Sequence, residues 1–563
     1  MKRKGARRVA ILMAVIFVFA GLLAGCSSKG DKETTKPAAT SDTKATAAPG
    51  DTAGEAGMKD GKYDPPIELT TVSNYTSLVK FDSGDDINNN MWTRYMLDTY
   101  GIKVTRKWAT TSGEELQQKT NLMIASGDIP DFFAAEPQQF KQLSEAGLIE
   151  DLTEAYEKYA PPHVKQLMEE AGPEVLQSAT IDGKLMAIPW TGLERESVPV
   201  VWIRSDWMKK LNLSAPQTMD DILKIADAFA NQDPDGNQKK DTLGFMIDKD
   251  LNAAKGFLNG FHAYNNIWLK DASGKLVYSN IQPEMKAALG KLQEMFKGGQ
   301  LDAEFAVKDM TKAFETIGAN KVGMFFSDRG GANYPANTSL PNVEWNSYPV
   351  PSIDDQPAKL QHDLNIFGNY WVVKKGSKHP EAVLKVLEAF TEKFYFTTSD
   401  EDYKKFIAPP GDSNPVWFLA PAKMYRPLNN LESFRQVNAV LKGEKDASEL
   451  TPQNRGVLDR INGYKGGDQS LWWEYAQNGP EGSGRIIEQY LKNDQFMPNQ
   501  FTTTPTPAMI SKQANLQAIM METFTKIIMG TASLDEFDNF VSSWKKLGGD
   551  EMTKEVNDWY AKQ

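Results

Sequence analysis

The pattern of apolar and polar positions predicts an α/β chain in which strands and helices follow one another. Residues 67–72 alternate and are rich in β-branched side chains, which is typical of a half-buried strand. Residues 88–100 form a helical pattern that ends at Gly101. Further predicted strands are 102–108, 131–135, 184–190 and 198–204, and further predicted helices are 113–126 and one entering near 137. This alternation predicts helices layered on a sheet.

The later pattern predicts a second lobe and a return of the chain to the first. Predicted helices of the second lobe are 219–230, 283–297 and 308–317, and its predicted strands are 243–247 and 322–326. A strand at 366–373 that leads into a helix at 379–393 predicts the return, and the tail after residue 516 has three helical segments. We therefore expect lobe 1 at 67–204, lobe 2 at 205–360, and a last part, 361–563, that returns to lobe 1 and ends in a helical region shared between the lobes.

Residues 1–25 have the three parts of a secretory signal peptide. Basic residues precede an uncharged apolar run at 9–23, and small residues precede Cys26. About 15 apolar residues are fewer than the roughly 20 that a spanning helix needs, so we expect export and not a transmembrane anchor. The letters LAGC at 23–26 resemble the lipobox of bacterial lipoproteins, where the new N-terminal cysteine receives lipid.

Cys26 is the single cysteine of the chain, so a disulfide within the chain is excluded. A lone thiol in an exported protein needs a role, and lipid attachment supplies one. Residues 26–66 contain Thr, Ala, Lys, Gly, Asp and Pro with almost no large apolar side chain. Such a segment buries too little surface to become ordered, and we expect it to be a flexible tether between the lipid and the body.

The charge and the length of the chain limit the classes of function that it can have. The chain has 563 residues, enough for two or more lobes with sizeable cores. Without the five basic residues of the leader, 58 Lys plus Arg remain of 63 against 74 Asp plus Glu, a net charge of −16. A nucleic-acid-binding surface needs the opposite sign, so nucleic acid is not an expected partner.

The sharpest local motif is a loop rich in oxygen ligands that follows a predicted helix. Its letters, DPDGNQKKD at 233–241, match most of the EF-hand pattern, with side-chain oxygens at positions 1, 3, 5 and 9 and a backbone carbonyl at position 7. Position 6 is not Gly and position 12 is not Glu, so a further ligand must come from elsewhere or from water. A polar turn is the alternative interpretation. The expected ligands of a structural Ca²⁺ are Asp233, Asp235, Asn237, Lys239 and Asp241.

Aromatic residues indicate a carbohydrate site. Apolar sugar faces stack on flat rings while amides and charged groups bind the hydroxyls. For any single tryptophan a place in the core is the alternative interpretation. The candidate ligand-binding residues lie where predicted strands end and in aromatic loops: Asn74, Tyr75, Trp190, His262, Trp268, Asp328, Arg329, Trp371, Trp472 and Trp473.

Catalytic motifs are weak. The four histidines lack HExxH spacing, and neither a G-x-S-x-G elbow nor a Walker loop is present in the sequence. Carboxylate pairs could serve a glycosidase, but with 74 acidic residues any pair is unremarkable. We therefore do not expect an enzyme.

Four stretches together resemble the extracellular solute-binding lipoproteins that serve bacterial sugar ABC importers, relatives of maltose-binding protein. They are the lipobox at 23–26, the letters VWIRSDWMKKLNL at 201–213 followed by Pro216, Thr218 and Asp220, the loop at 233–241, and the run from 527–530 to 555–560. The resemblance covers the body of the chain.

The resemblance implies a two-lobe periplasmic-binding-protein-like α/β fold of type II with a helical C-terminal part. It also implies a monomer that binds a carbohydrate, expected to be an oligosaccharide, between the lobes and presents it to an ABC-transporter permease at the outer face of the membrane. The rival hypotheses are a secreted polysaccharide-active enzyme, which turnover of polysaccharide would favour, and a surface scaffold without a small ligand, which a failure of every glycan to raise the melting temperature would favour.

Overall fold

The computed structural model describes residues 57–59, 61–193, 195–338, 343–362, 369–407 and 414–562. The expected signal peptide, Cys26 and residues 27–56 of the expected tether lie outside these residues. Residues 57–59 and 61–66, which the sequence assigned to the tether, belong to the folded body, because two short strands pair at 58–59 and 62–63 and Tyr63 is buried. No helix in the described ranges combines the length and the apolar character that crossing a membrane requires.

The strands are short and are distributed along the whole body. They are β1 (Met58–Lys59), β2 (Lys62–Tyr63), β3 (Ile67–Asn74), β4 (Ile102–Thr110), β5 (Phe132–Ala135), β6 (Thr180–Ile181), β7 (Lys184–Leu185), β8 (Ile188–Pro189), β9 (Val200–Arg204), β10 (Trp268–Lys270), β11 (Leu276–Tyr278), β12 (Met324–Ser327), β13 (Trp345–Tyr348), β14 (Leu360–His362), β15 (Tyr370–Val373) and β16 (Phe496–Pro498).

Helices separate the strands and dominate the C-terminal third. They are α1 (Met91–Tyr100), α2 (Gly113–Ser126), α3 (Pro137–Glu145), α4 (Thr153–Tyr159), α5 (Pro162–Ala171), α6 (Pro173–Ser178), α7 (Ser205–Lys210), α8 (Met219–Asn231), α9 (Lys255–Gly260), α10 (Pro283–Lys297), α11 (Met310–Gly318), α12 (Asn333–Ala336), α13 (Ala382–Thr391), α14 (Asp400–Phe406), α15 (Asn429–Leu441), α16 (Pro452–Lys465), α17 (Trp472–Asn478), α18 (Ser483–Lys492), α19 (Pro507–Ile528), α20 (Glu536–Trp544) and α21 (Asp550–Tyr560).

Local sequence explains the ends of helix α1. Asn90 caps its start, because the side-chain oxygen accepts the N–H groups of Trp92 and Thr93 and the Thr93 hydroxyl returns a contact to the Asn90 backbone. Gly101 ends the helix in the left-handed region, at φ 67°. A Cβ at this position would lie 2.2 Å from the carbonyl oxygen of Tyr63, so the close approach of the chain also requires glycine.

Two large apolar cores divide the body. The first core contains buried side chains from residues 63–188 and again from 370–424. The second core contains those from 198–360 and again from 431–556. The chain therefore passes between the cores three times, through the segments that contain Trp190, Asn369 and Tyr425, which we call the crossover segments.

Each core is built on a small antiparallel sheet. In the first core β15 is central, with β5 and β8 on its two sides, and the parallel pair β3 and β4 packs beside it. In the second core β9 is central between β12 and β13. The helices pack around these sheets, and the C-terminal helices α19, α20 and α21 contribute their buried side chains to the second core.

The strand expected at 198–204 belongs to a different lobe from the one assigned by sequence. All five residues of β9 are buried, and its two neighbours are strands of the second core. A run without polar alternation has to be covered on both faces, which a central strand provides. The strand expected at 243–247 is reduced to one bridge between Leu243 and Val322.

Candidate ligand site at the crossover segments

The main candidate site is a cavity of about 330 Å³ in the first core, at the carboxyl ends of β3 and β5. We call it the Trp190 cavity. Ligands of open α/β sheets bind at this end of the strands. It is lined by Val72, Ser73, Asn74, Gly113, Leu116, Gln117, Thr120, Ala134, Glu136, Gln139, Trp190, Asn369, Trp371, Phe418, Pro421, Lys423 and Tyr425.

Two stacked tryptophans form the aromatic wall of this cavity. The Trp190 and Trp371 rings lie 5.3 Å apart between centroids, at an interplanar angle of 25°. Trp371 is only 2% exposed, and its indole N–H donates to the carbonyl oxygen of Lys423 at 2.9 Å. Trp190 is partly buried and also contacts the Tyr425 ring at 5.8 Å. Trp371 thus holds the more accessible Trp190 ring in place.

Amide side chains form the polar wall, where α2 and α3 begin. Gln117 donates to the Glu136 carboxylate at 2.7 Å, and Gln139 donates to Asn121 at 2.8 Å. Glu136 also caps the start of α3. A second cavity of about 360 Å³ shares Gln117, Glu136 and Gln139 with the Trp190 cavity and extends along the same two helices. The amide-lined surface therefore continues from the Trp190 cavity into the second cavity.

One buried lysine lies at the wall of the Trp190 cavity. Lys423 is 4% exposed, and its ammonium lies 5.8 Å from the centroid of the Trp190 ring. Burial, with a smaller contribution from the nearby Arg106 guanidinium, lowers the pKa of Lys423 to about 7. Burial also lowers the pKa of Arg106, to about 10.

The three crossover segments are hydrogen-bonded to one another beside the cavity. The Trp190 N–H donates to the carbonyl oxygen of Asn369 at 2.9 Å, which joins the first segment to the second. The Tyr425 N–H donates to the Thr191 carbonyl oxygen at 3.3 Å, and the Thr191 hydroxyl donates to the Tyr425 carbonyl oxygen at 2.5 Å, which joins the first segment to the third. A ligand in this cavity therefore contacts the segments that connect the two cores.

Glu196 connects the first crossover segment to the helix that follows the third. Its carboxylate accepts the N–H groups of Asn430 at 3.1 Å and Leu431 at 2.8 Å, in the first turn of α15. The Asn430 side-chain amide donates to the same carboxylate at 2.7 Å. Glu196 is 1% exposed, and burial raises its pKa against the opposing effect of the Arg329 guanidinium.

Only three of the ten residues that the sequence analysis named as ligand-binding line the Trp190 cavity: Asn74, Trp190 and Trp371. Tyr75 packs edge to face on Phe81, next to the end of β3. His262 lies in a separate surface depression and contacts Asp354 at 3.0 Å.

The other named residues belong to the second core or its surface. Trp268 is 3% exposed and packs on Tyr278. Asp328 accepts the Gly330 N–H, and Arg329 donates to the Asn478 side chain at 2.6 Å. Trp472 is buried at the edge of another cavity, of about 320 Å³, and Trp473 lies under the Arg460 guanidinium.

Sequence reasoning missed Lys423, Glu136, Gln117, Gln139 and Tyr425. Gln139 lies in the first turn of α3 and Gln117 just after the first turn of α2, so their position near the starts of two predicted helices was an available signal. Lys423 has no such signal, because it follows the segment 416–421 without a strand or an α-helix to position it.

The loop at 233–241 brings several of its oxygen ligands together. The Asn237 side-chain amide donates to Asp235 at 2.8 Å and to Asp241 at 3.0 Å, so these two carboxylates converge on one point. The Lys239 N–H donates to the side-chain oxygen of Asn237 at 2.7 Å, which folds the loop back on itself.

The two carboxylate oxygens of Asp233 differ in their hydrogen bonding. Oδ2 accepts the Gln238 N–H at 3.0 Å, whereas Oδ1 is buried and accepts no hydrogen bond from the described residues. An orphaned buried carboxylate oxygen fits a cation site. Nevertheless, in the described ranges no group of three or more His, Cys, Asp or Glu side chains is close enough to hold a metal ion by itself.

Comparison with known proteins identifies the family and relatives. The model of the bacterial extracellular solute-binding protein family matches residues 84–393. Lipoprotein LipO of Bacillus subtilis (strain 168) is 23% identical over 489 residues, 82% of this chain and 86% of LipO. FusA of Streptococcus pneumoniae, named a fructooligosaccharide ABC transporter substrate-binding protein, is 28% identical over 233 residues, 39% of this chain and 43% of FusA.

Solved structures share the fold. FusA in complex with kestose has a TM-score of 0.57 at 18% identity and covers 88% of this chain and 100% of that chain. An EF-hand mutant of FusA in complex with fructo-nystose has the same TM-score. The alginate-binding protein AlgQ2 without calcium ion has a TM-score of 0.55 at 19% identity and covers 90% of this chain and 100% of AlgQ2.

These comparisons confirm the resemblance and the two-lobe α/β fold with a helical C-terminal part that the sequence predicted. Two of the named relatives bind carbohydrates by name, FusA a fructooligosaccharide and AlgQ2 alginate, whereas LipO is named only as a lipoprotein. Because the family model matches more than half of this chain, the chain belongs to the bacterial extracellular solute-binding proteins.

Proposed function

We propose that the protein captures an oligosaccharide outside the cell in the cleft at the Trp190 cavity and delivers it to an ABC-transporter permease. The observation that carries this proposal is the stacked pair Trp190 and Trp371 facing an amide-lined wall. Flat rings bind apolar sugar faces, and amides bind hydroxyls. The second cavity along α2 and α3 adds room for a further sugar.

Closure of the two lobes around the ligand would be the change that the permease recognises. Three crossover segments bonded to one another beside the cavity form a hinge, and a ligand that contacts both this hinge and the second lobe favours the closed form. Such a protein needs no catalytic group, and we propose that this chain binds its ligand without chemical change.

We further propose that lipid on Cys26 holds the protein at the outer face of the membrane, as a monomer. The leader at 1–25 and the lipobox support this proposal, and one relative, LipO, is named a lipoprotein. The segment 27–56 would then connect the lipid to the folded body. Its composition suits a flexible linker, which places the cleft tens of Å from the membrane by a random-coil estimate.

We also propose a structural Ca²⁺ in the loop at 233–241. The ion would be held by the side-chain oxygens of Asp233, Asp235, Asn237 and Asp241 and by the carbonyl oxygen of Lys239. A hard cation would balance the negative charge of the clustered carboxylates. Support comes from the orphaned Asp233 oxygen and the convergence of Asp235 and Asp241. The relative FusA has an EF-hand.

The function is tested with a panel of neutral and acidic oligosaccharides in a thermal-shift assay, followed by calorimetric titration. A ligand that binds only the folded state stabilises it by RT ln(1 + [L]/Kd), which is about 2.7 kcal/mol at 100 times Kd. We expect at least one oligosaccharide to raise the melting temperature and to be recovered unchanged. Turnover of the glycan would favour an enzyme, and no response to any glycan would favour a scaffold.

Removal of calcium is expected to lower the melting temperature of the ligand-free protein, for the same mass-action reason. Asp235→Ala is expected to abolish the difference between chelator and calcium. The control is Asp355→Ala, an exposed carboxylate outside the loop, which is expected to keep it. Elemental analysis of the wild-type protein at saturating calcium measures the bound metal. A result that shows no bound calcium would contradict the proposed site.

A further inference from the structure

Lys423 is a buried cation with too few partners. Its ammonium has three N–H donors, yet among the described residues it makes one long hydrogen bond, 3.4 Å to the carbonyl oxygen of Ala420. The Trp190 ring beside it, 5.8 Å away, is a weak partner for a charge. Two of the three ammonium donors of Lys423 therefore have no acceptor among the described residues and are available to a ligand in the Trp190 cavity.

A second buried cation lies behind it. Arg106 is 3% exposed, and its guanidinium donates to the Ser73 hydroxyl at 2.9 Å and to the carbonyl oxygens of Ile87, at 2.6 Å, and Leu419. None of these acceptors carries a charge. Burying a charge without a counter-ion is costly, and here two like charges are buried close together.

Carboxylates of the described residues do not compensate this charge. Among the described residues the charged side chains that line the cavity are Lys423 and Glu136, and the charge that acts on Lys423 is that of Arg106. Glu136 lies at the opposite wall, where it accepts the Gln117 amide and caps α3. Burial and the Arg106 charge, without an opposing carboxylate, lower the pKa of Lys423 to about 7. The wall formed by Lys423 and Trp190 is therefore electropositive and lacks an anion.

We propose that the oligosaccharide bound in the Trp190 cavity is acidic, with the carboxylate of one sugar pairing with Lys423 while its ring stacks on Trp190. This inference rests on the proposed function and names its substrate class. In the described part of the chain, the wall formed by Lys423 and Trp190 lacks a negative charge and lacks acceptors for two of the ammonium protons. A carboxylate supplies both. The ammonium in turn gains a counter-ion in a site that is shielded from water.

Matched pairs of ligands test this inference. Oligogalacturonates and xylo-oligosaccharides that carry glucuronate are titrated beside their methyl esters, which keep the sugar ring and remove the charge. We expect the wild type to bind at least one acid at least about tenfold more tightly than its ester, because a buried charge pair is lost in the ester. Sulfated disaccharides form a further arm, in which a preference for sulfate would overturn the assignment to a carboxylate.

Lys423→Met keeps the length of the side chain and removes the charge. We expect this variant to bind acid and ester about equally, and to melt at a higher temperature than the wild type without ligand, because a buried unpaired charge is gone. The control is Lys404→Met, an exposed lysine on α14, for which we expect the wild-type preference and melting temperature. An acid preference that survives in Lys423→Met would overturn the role of this residue.

Proton uptake gives a readout that a purely structural lysine would not show. At pH 8 the free protein holds Lys423 largely neutral, and a bound carboxylate favours its charged form, so binding should take up as much as about one proton. Titration in two buffers of different ionisation enthalpy measures this number. We expect uptake with acids and none with esters or in Lys423→Met, and affinity for acids should fall as the pH rises above about 7.

The two proposals fail in different ways. Tight binding of neutral oligosaccharides, or equal affinity for acid and ester in the wild type, would overturn the acidic ligand and leave the proposed function intact. A panel in which neither neutral nor acidic oligosaccharides bind would overturn both.

Discussion

Glu196→Ala is expected to lower the free energy of unfolding by about 3–5 kcal/mol, the order found when one partner of a buried charge network is removed. The change leaves the N–H groups of Asn430 and Leu431 without acceptors in a buried site. It also removes the negative charge that acts on the buried Arg329, whose Nε has no partner among the described residues. Urea denaturation measures the loss.

The location of the effect can be measured together with its size. Backbone amides of α15 should exchange faster with solvent in the variant, because their capping carboxylate is gone. The control is Glu157→Ala, an exposed residue of α4, which is expected to change the stability by less than about 0.5 kcal/mol. If Glu196→Ala unfolds at the wild-type urea concentration with unchanged exchange at Asn430 and Leu431, the carboxylate does not join the crossover segments.

Trp190→Ala is expected to weaken binding of the oligosaccharide by about 1–3 kcal/mol, the order for deletion of a buried aromatic contact. Its ring is partly exposed at the cavity, so the ligand-free protein should lose little stability. Trp371→Ala should behave differently. That ring is 2% exposed and packs on Phe132, so its loss is expected to cost about 3–5 kcal/mol of stability.

Titration calorimetry with the glycan that raises the melting temperature measures the affinities, and denaturation of ligand-free protein measures the stabilities. Trp108→Ala serves as the matched control, since this ring is also partly exposed but lies on β4 outside the cavity. We expect it to leave affinity unchanged. If Trp190→Ala leaves the affinity per folded molecule unchanged, Trp190 does not contact the ligand and its role is structural.

The parts of the fold that sequence predicted well are those with local causes. Helix α2 at 113–126 and helix α10 at 283–297 have the predicted bounds, because their end signals are local: Ser112 and Gly127 flank α2, and Pro283 begins α10. The strand at 198–204 was detected too, but its lobe was not. Its partners β12 and β13 are more than 100 residues away, and nothing local specifies that pairing.

The candidate site shows the same division. Trp190 and Trp371 were named from sequence because aromatic residues at strand ends are typical of sugar sites, and pairing of β15 with β8 brings them together. Trp268 has the same local signal and packs in the second core instead. A ring at the end of a strand can face either a cleft or a core, and the covering elements decide which.

By itself the sequence determined the family and the α/β alternation, and it predicts the export signal and the calcium loop, since each depends on residues that are neighbours along the chain. Only the tertiary structure decided which residues share the cavity and that Lys423 lies there beside Arg106 without a carboxylate partner in the described part of the chain. The physical reason is that burial and charge pairing are properties of the assembled core. The same lysine on a surface loop would be an ordinary solvated cation.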